Sequence, residues 1–345
     1  MSMEDLPEYI ALSYTWGEPS PARTIILNGE PFQVRQNLWD FMAQARSRAL
    51  TRKIWIDALC IDQSQISERS HQVSMMDKIY SAAIYVVVWL GCATPPMERI
   101  LRAIGTNHYG EDRRSELFPP RETGCSKEDF TMAIRNMCER NYWSRVWVVQ
   151  EFVLARNVVI WCGSQAITER ELHWALSKTE NRFVTGVTFS NEYLPYCEEW
   201  ALQTRRILWC RTKVFVSNFR TSLDDSLWYT RSSREYADSR DGLFAILSLV
   251  DPYEKELLCL ISDYTKSPEE IFQDTWEAMK NYPGVYLAPF TRLQRTERTI
   301  EDLAKALRVD QRSCVLQNAL DEIISHRNIL IKQMVVMWRK GVEVR

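Results

Sequence analysis

Three short apolar runs, and what lies between them, restrict this chain more than any other feature. YIALS at Tyr9–Ser13, KIWID at Lys53–Asp57 and IYVVVWL at Ile84–Leu90 are rich in β-branched and aromatic residues and bounded by turn formers. Each reads as a buried strand. Between the first two, Leu38, Phe41, Met42, Ala45 and Ala49 recur at helical spacing, with Asn37 as a candidate N-cap. Between the second and third, Ser67 opens a helix whose apolar face is Val73, Met76, Ile79, Tyr80 and Ala83. Thr24–Leu27 and Pro31–Val34 flank Asn28-Gly29, a pair that tolerates the positive φ of a tight hairpin turn. Strand, hairpin, helix, strand, helix, strand is the alternation of a parallel sheet covered by helices.

The pattern then changes. Thr94–Lys127 holds Pro95-Pro96, Pro119-Pro120 and many charges, and reads as a long mobile loop insertion, about 94–127. Helices are expected over Glu128–Arg140 and Ser144–Ala155, and a further strand over Asn157–Cys162. From Thr168 the signal is mostly helical: Glu169–Lys178, Glu198–Arg211, Asp241–Val250, Pro268–Asn281 and two more after Thr299. The expected division is an α/β domain over 1–165 and a mostly α-helical C-terminal region over 166–345.

Composition closes off several functions. A net charge of −2 and a pI near 6.2 leave no electrostatic footprint for nucleic acid. The nine cysteines include no CxxC pair and the four histidines stand apart, so no zinc spacing exists and intracellular free thiols are expected. The N-terminus lacks a basic-then-apolar signal pattern, and the longest apolar runs are too short for a bilayer, so the expected location is cytoplasmic with no membrane partner. With 11 Gly and neither GxGxxG nor GxxxxGK[ST], a kinase, an ATPase or a Rossmann dehydrogenase is disfavoured, and no cofactor is expected.

In an open parallel sheet the ligand lies outside the carboxyl ends of the strands. The residues there are Ser13, Tyr14 and Trp16 after the first run, Asp57, Cys60 and Asp62 after the second, and Trp89 in the third. Glu151 stands in WVVQEFVL, an almost wholly apolar helix, and is either a site carboxylate or a buried acid paired with a neighbour such as Arg145. Gln150 serves as ligand contact or core hydrogen-bonder, and Asp57 as site residue or loop brace. Asp62 with Gln63 either contacts a ligand or orders a loop, Arg145 either balances Glu151 or meets a phosphate, and Trp16 either stacks on a ring or packs under the hairpin. Trp143 and Trp147 are expected on one helix face, Trp143 at a pocket edge and Trp147 in the core. Cys60 is a weak nucleophile candidate, since His71 is the sole histidine near these segments. Arg69 and Lys53 read as solvated, and Arg240-Asp241 as a helix-start brace between the two halves.

Five segments in a fixed order, YIALSYTWGE (9–18), KIWIDALCIDQ (53–63), ERSHQVSMMDKIYSAA (68–83), VVVWLG (86–91) and RNYWSRVWVVQEFVLA (140–155), resemble the fungal heterokaryon-incompatibility (HET) domain. Ser239–Leu249 and Asp263–Phe272 resemble segments that commonly follow it. The HET domain is in turn remotely similar to the TIR domain, which implies a flavodoxin-like parallel sheet with helices on both faces. Many TIR domains cleave NAD⁺ at the nicotinamide–ribose bond with a Glu that follows a Trp on a late helix; Trp147 and Glu151 match that pattern. By this resemblance Glu151 is the catalytic carboxylate, NAD⁺ the substrate, and self-association, together with an upstream receptor protein, the source of partners. The other reading is a non-catalytic death-signalling module in which Trp-rich surfaces anchor protein contacts.

Overall fold

The structure, a computed structural model, describes residues 7–106, 125–179, 199–217, 221–228, 235–281 and 290–339. Its strands are β1 (Tyr9–Tyr14), β2 (Ala22–Leu27), β3 (Glu30–Arg35), β4 (Lys53–Trp55), β5 (Val86–Trp89), β6 (Val158–Cys162) and β7 (Gln165–Thr168). Five of them form one sheet in the order β4-β1-β5-β6-β7. The first four of these run parallel, and β7 returns antiparallel to β6. Counted within the sheet alone, this is the doubly wound flavodoxin order, with its topological switch between β1 and β5. The chain is α/β in its N-terminal half, as expected, with helices flanking the sheet.

By compactness the chain forms two units. The first comprises residues 1–62 and 75–218, the second residues 63–74 and 219–345. In the first, β1 shows why its sequence alternates as it does: Ile10, Leu12 and Tyr14 join Leu38, Phe41, Val87, Trp89 and Trp161 in one core. Phe41 lies edge-on to Trp89, with ring centroids 6.0 Å apart. That core packs under helix α1 (Gln36–Ser47). Successive strand residues face opposite ways, so Ala11 and Ser13 face the other side of the sheet. The hairpin β2–β3 turns at Asn28 and Gly29, both at positive φ, and stays a separate two-stranded ribbon.

Several expectations change. β4 is an edge strand with Lys53 exposed and Ile54 and Trp55 only half-buried, because no strand among the described residues pairs on its outer side. The single helix read from Ser67 is two, α3 (Ile66–Ser74) and α4 (Met76–Ala82), broken at Met75. No residue of α3 is buried to the degree of a core position, and α3 belongs to the second unit. Within Thr94–Lys127, residues 95–106 form a helix, α5 (Pro95–Thr106), with Met97, Ile100, Leu101 and Ile104 buried. A loop reading fails there because these residues keep a 3–4 spacing that the prolines at the helix start do not interrupt. Residues 107–124 lie outside the described residues.

The helix read over Ser144–Ala155 also changes. After α6 (Lys127–Cys138) comes a 3₁₀ turn, Asn141–Ser144, then extended backbone at Arg145, then a short helix, α7 (Val148–Val153). Helix α8 (Glu169–Thr179) follows β7, and α9 (Leu202–Ser217) closes the unit. The first compact unit therefore continues beyond residue 165.

In the second unit the helices at Asp241–Phe244, Pro252–Leu257, Pro268–Asn281, Phe290–Ala306 and Cys314–Arg339 account for most of the described chain. Phe244, Phe272, Met279, Ile300, Leu303, Leu307 and Ile323 are among its buried residues. The helix read over Asp241–Val250 stops at Phe244 and gives way to turns. Among the described residues no helix is long and apolar enough to cross a membrane.

Candidate functional site

The carboxyl end of β1 gathers the polar residues of the first unit. Ser13, fully buried, faces α7, and its Oγ donates to Glu151 Oε2 at 2.5 Å. The same Oγ lies 2.8 Å from the Tyr142 hydroxyl. Because the one hydroxyl hydrogen of Ser13 is given to the carboxylate, Tyr142 is the donor in that second bond. The resulting relay runs Tyr142 to Ser13 to Glu151.

Arg145 reaches the same place from its extended segment. Its Nη1 donates to the backbone oxygen of Tyr14 and stands 3.8 Å from Glu151 Oε2. Asp57, the first residue of the one-turn helix α2 (Asp57–Cys60), accepts from Trp16 Nε1 at 2.8 Å and from the Ala58 amide at 2.7 Å. Tyr80 on α4 donates its hydroxyl to the Leu12 carbonyl at 3.0 Å. The cluster thus joins two carboxylates, one guanidinium and several hydroxyls beside the switch point of the sheet.

Burial shapes its charges. It pushes the Glu151 carboxyl from 4.5 up to about 7, opposed by Arg145 and the Ser13 hydrogen bond and reinforced by Asp57. Burial likewise raises Asp57, with Arg145, Trp16 and Ala58 pulling the other way. Burial acts to lower Arg145, but the facing carboxylates of Glu151 and Asp57 outweigh it and the guanidinium is raised. Tyr14, Tyr80 and Tyr142 are all raised by burial, so they remain neutral hydrogen-bonding groups.

Of the residues singled out from sequence, Ser13, Tyr14, Trp16, Asp57, Arg145 and Glu151 come together. Others stand apart. Cys60 is exposed, and so is Asp62. Trp89 lies in the core under α1, and its Nε1 donates to Asn37 Oδ1 at 2.9 Å. Trp143 is 1% exposed and donates to the Met137 carbonyl at 2.9 Å, so it packs inside the unit instead of edging a pocket. Gln150 is buried with α7. Trp143 and Trp147 do not share a helix face, because the chain is extended between them; Trp147 is half-buried.

Sequence reasoning missed four contributors. Tyr80 reads from sequence only as part of an apolar helix face and Tyr142 falls between two expected helices, although a buried tyrosine hydroxyl needs a partner and that need is the available signal. Asn37, read as a cap, has no side-chain bond to its helix; it donates to the Thr15 carbonyl and accepts from Trp89. Arg211 on α9 gave no signal. Its Nη1 donates to the carbonyls of Phe152, Val153 and Ala155 at 2.9, 3.2 and 2.6 Å, and its Nε to Glu169 at 2.6 Å. It satisfies carbonyls at the C-terminal end of the helix that bears Glu151.

A second polar cluster forms within the other unit. Arg69, read as solvated, pairs with Asp238 at 3.2 Å and Asp241 at 3.5 Å and lies 3.8 Å from the Tyr264 ring centroid. Arg240 binds Asp238 at 2.7 Å and the Tyr264 carbonyl at 2.6 Å. Half-burial of Arg69 follows from the placement of α3 in this unit.

Residues 9–151, from the first residue of β1 to Glu151, match the family described as Heterokaryon incompatibility protein (HET). A Neurospora crassa protein, Heterokaryon incompatibility protein 6, OR allele, is 26% identical over 203 residues, covering 48% of this chain. The chain spans 30% of that relative's length. No solved structure matches.

Proposed function

We propose that this chain acts in fungal non-self recognition and programmed cell death by cleaving NAD⁺ at the nicotinamide–ribose bond; its Neurospora relative is named for heterokaryon incompatibility. The observation that carries the reading is Glu151: a carboxylate against the end of β1, held by Ser13 and facing Arg145 and Asp57. The TIR resemblance of the Trp147–Glu151 helix supports it.

Loss of nicotinamide needs little chemistry from a protein. The C–N bond breaks, its electron pair goes to the pyridinium nitrogen, and nicotinamide leaves neutral, so no general acid is required. The ribose is left with oxocarbenium character, as in glycoside hydrolysis. A carboxylate beneath it stabilises the developing positive charge. Water then bonds to the ribose carbon and releases a proton. Glu151 acts in its ionised form, and Asp57 adds negative charge to the same region while Trp16 offers a ring face. Self-association is the working state this reading implies.

A second reading has its own support. Glu151 is 2% exposed, bonded by Ser13 and close to Arg145, which is how a buried structural acid is satisfied. On that reading the chain is a non-catalytic signalling module that works through protein contacts.

Purified protein at rising concentration is incubated with NAD⁺ and nicotinamide release is followed, with Glu151→Ala and Glu151→Gln alongside. Release that depends on concentration and is lost in both folded variants supports the enzyme. Release that survives both substitutions removes Glu151 from the reaction, and no release at any concentration favours the signalling module.

A further inference from the structure

Beside the carboxylate cluster, the same end of the sheet carries two guanidinium groups that no carboxylate among the described residues pairs with. Arg35, which ends β3, donates from Nη1 to the Gly17 carbonyl at 2.6 Å, and its guanidinium lies 5.3 Å from the Trp16 ring centroid. Arg140, just before the 3₁₀ turn, donates from Nη2 to the Cys92 carbonyl at 2.9 Å and approaches Met97 Sδ at 3.9 Å. Among the described residues neither forms an ion pair. Asp40 and Glu98, which act on the Cys92 thiol together with Arg140, are engaged elsewhere: Asp40 accepts from Gln36 Nε2 at 2.7 Å and Glu98 from the Ser164 amide at 2.8 Å, while the adjacent Glu139 pairs with Arg135 at 2.8 Å.

Asn37 links the two arginines. A side chain begun at Gly17 would meet Asn37 Cβ at 3.4 Å. One begun at Gly91 would lie 3.7 Å from both Asn37 Oδ1 and Arg140 Nη1, with nothing nearer. Gly17 and Gly91 sit at φ +74° and +93°, where side chains are disfavoured, so both places stay open to the backbone. The row Arg35, Gly17, Asn37, Gly91, Arg140 therefore crosses the carboxyl ends of β1 and β5, which are paired neighbours. That is the switch point at which doubly wound sheets take ligands. Trp16 connects the row to Asp57.

An arginine has five N–H donors in a planar fork that matches phosphoryl oxygens. Here each is steadied by a carbonyl through one nitrogen, which leaves further donors for a ligand. We propose that this row is a phosphoryl-binding subsite that takes the diphosphate of a nucleotide ligand. That the rest of the ligand reaches Asp57 and Glu151 rests on the function proposed above; the anion subsite itself does not.

The test titrates the full chain by calorimetry with ADP, adenosine and inorganic pyrophosphate, using wild type, Arg35→Gln, Arg140→Gln, the double variant, and Arg35→Lys and Arg140→Lys. Circular dichroism establishes that each is folded. The expected result is binding of ADP but not adenosine, competition by pyrophosphate, and roughly tenfold weaker ADP binding for each Arg→Gln change. The Lys variants, which keep charge but lose the fork, fall between. Adenosine binding as tightly as ADP overturns the proposal, as does a folded double variant with wild-type ADP affinity, or a wild type that binds neither ADP nor pyrophosphate at millimolar concentration. Nicotinamide release is scored on the same preparations. Arginine-dependent ADP binding without release keeps the subsite and removes the reaction; release with equal ADP affinity in all variants does the reverse.

Discussion

Glu151 concentrates the physical tension of the first unit into one side chain. Its carboxyl is raised by burial from 4.5 to about 7, so between those values the folded chain holds a proton that the unfolded chain has released. Stability therefore falls as pH rises from about 4.5 to about 7 and is flat above, at a cost on the order of 3 kcal/mol. Urea unfolding at about pH 5 and about pH 8 measures the slope, and Glu151→Gln is expected to flatten it. A variant with the wild-type slope would assign the proton to another group: Asp57, raised by burial, has the same sign. The relay from Tyr142 through Ser13 makes a finer prediction. Tyr142→Phe leaves Ser13 a poorer donor to Glu151, at about 1 kcal/mol, and so moves the Glu151 midpoint upward by somewhat under one pH unit. Ser13→Ala moves it further. If nicotinamide release occurs, its rise with pH shifts by the same amounts; a profile unchanged in both variants would disconnect the relay from the carboxylate.

At the scale of elements, α7 is the piece to examine, because six residues make a helix too short to persist alone. Its core-facing side chains, Val148, Val149 and Phe152, tie it down within the unit. Arg211 holds its other end by bonding three backbone carbonyls. Arg211→Ala strands those carbonyls and the buried side of Glu169, and is expected to cost about 2–5 kcal/mol. Denaturant unfolding measures the loss. Arg211→Lys, which cannot span the same carbonyls, should recover only part of it. A loss below about 0.5 kcal/mol would mean that water replaces the guanidinium there.

For the whole molecule, the feature with consequences is that α3 lies inside the matched N-terminal segment but belongs to the second unit. The chain passes between units after Asp62, before Met75 and again near residue 218. A chain cut after residue 218 therefore leaves Arg69 without Asp238, Asp241 and the Tyr264 ring. We expect rapid proteolysis within residues 63–74 in the shortened protein and protection of the same segment in the full chain. Equal protection in both would show that α3 holds its place without the second unit.

The strands other than β7, the hairpin turn and the helix over α1 were legible in the sequence, since each rests on local chemistry: β-branched runs, an Asn-Gly pair, a 3–4 apolar spacing. So were the residues at the carboxyl ends of the strands, because the α/β alternation dictates where ligands meet such a sheet. What local chemistry does not contain is partnership across distance. The break at Met75, the departure of α3, the extended turn at Arg145 and the antiparallel return of β7 depend on which surfaces meet. The same holds within the site. Glu151 is readable as a buried acid, but that Ser13 is its donor and Tyr142 the donor to Ser13 is decided across more than a hundred residues of chain. Sequence determined the fold class and the end of the sheet at which the buried polar cluster gathers. Tertiary structure alone decided which side chains share charge and hydrogen bonds there, because a buried polar group takes whatever partner packing brings within about 3 Å.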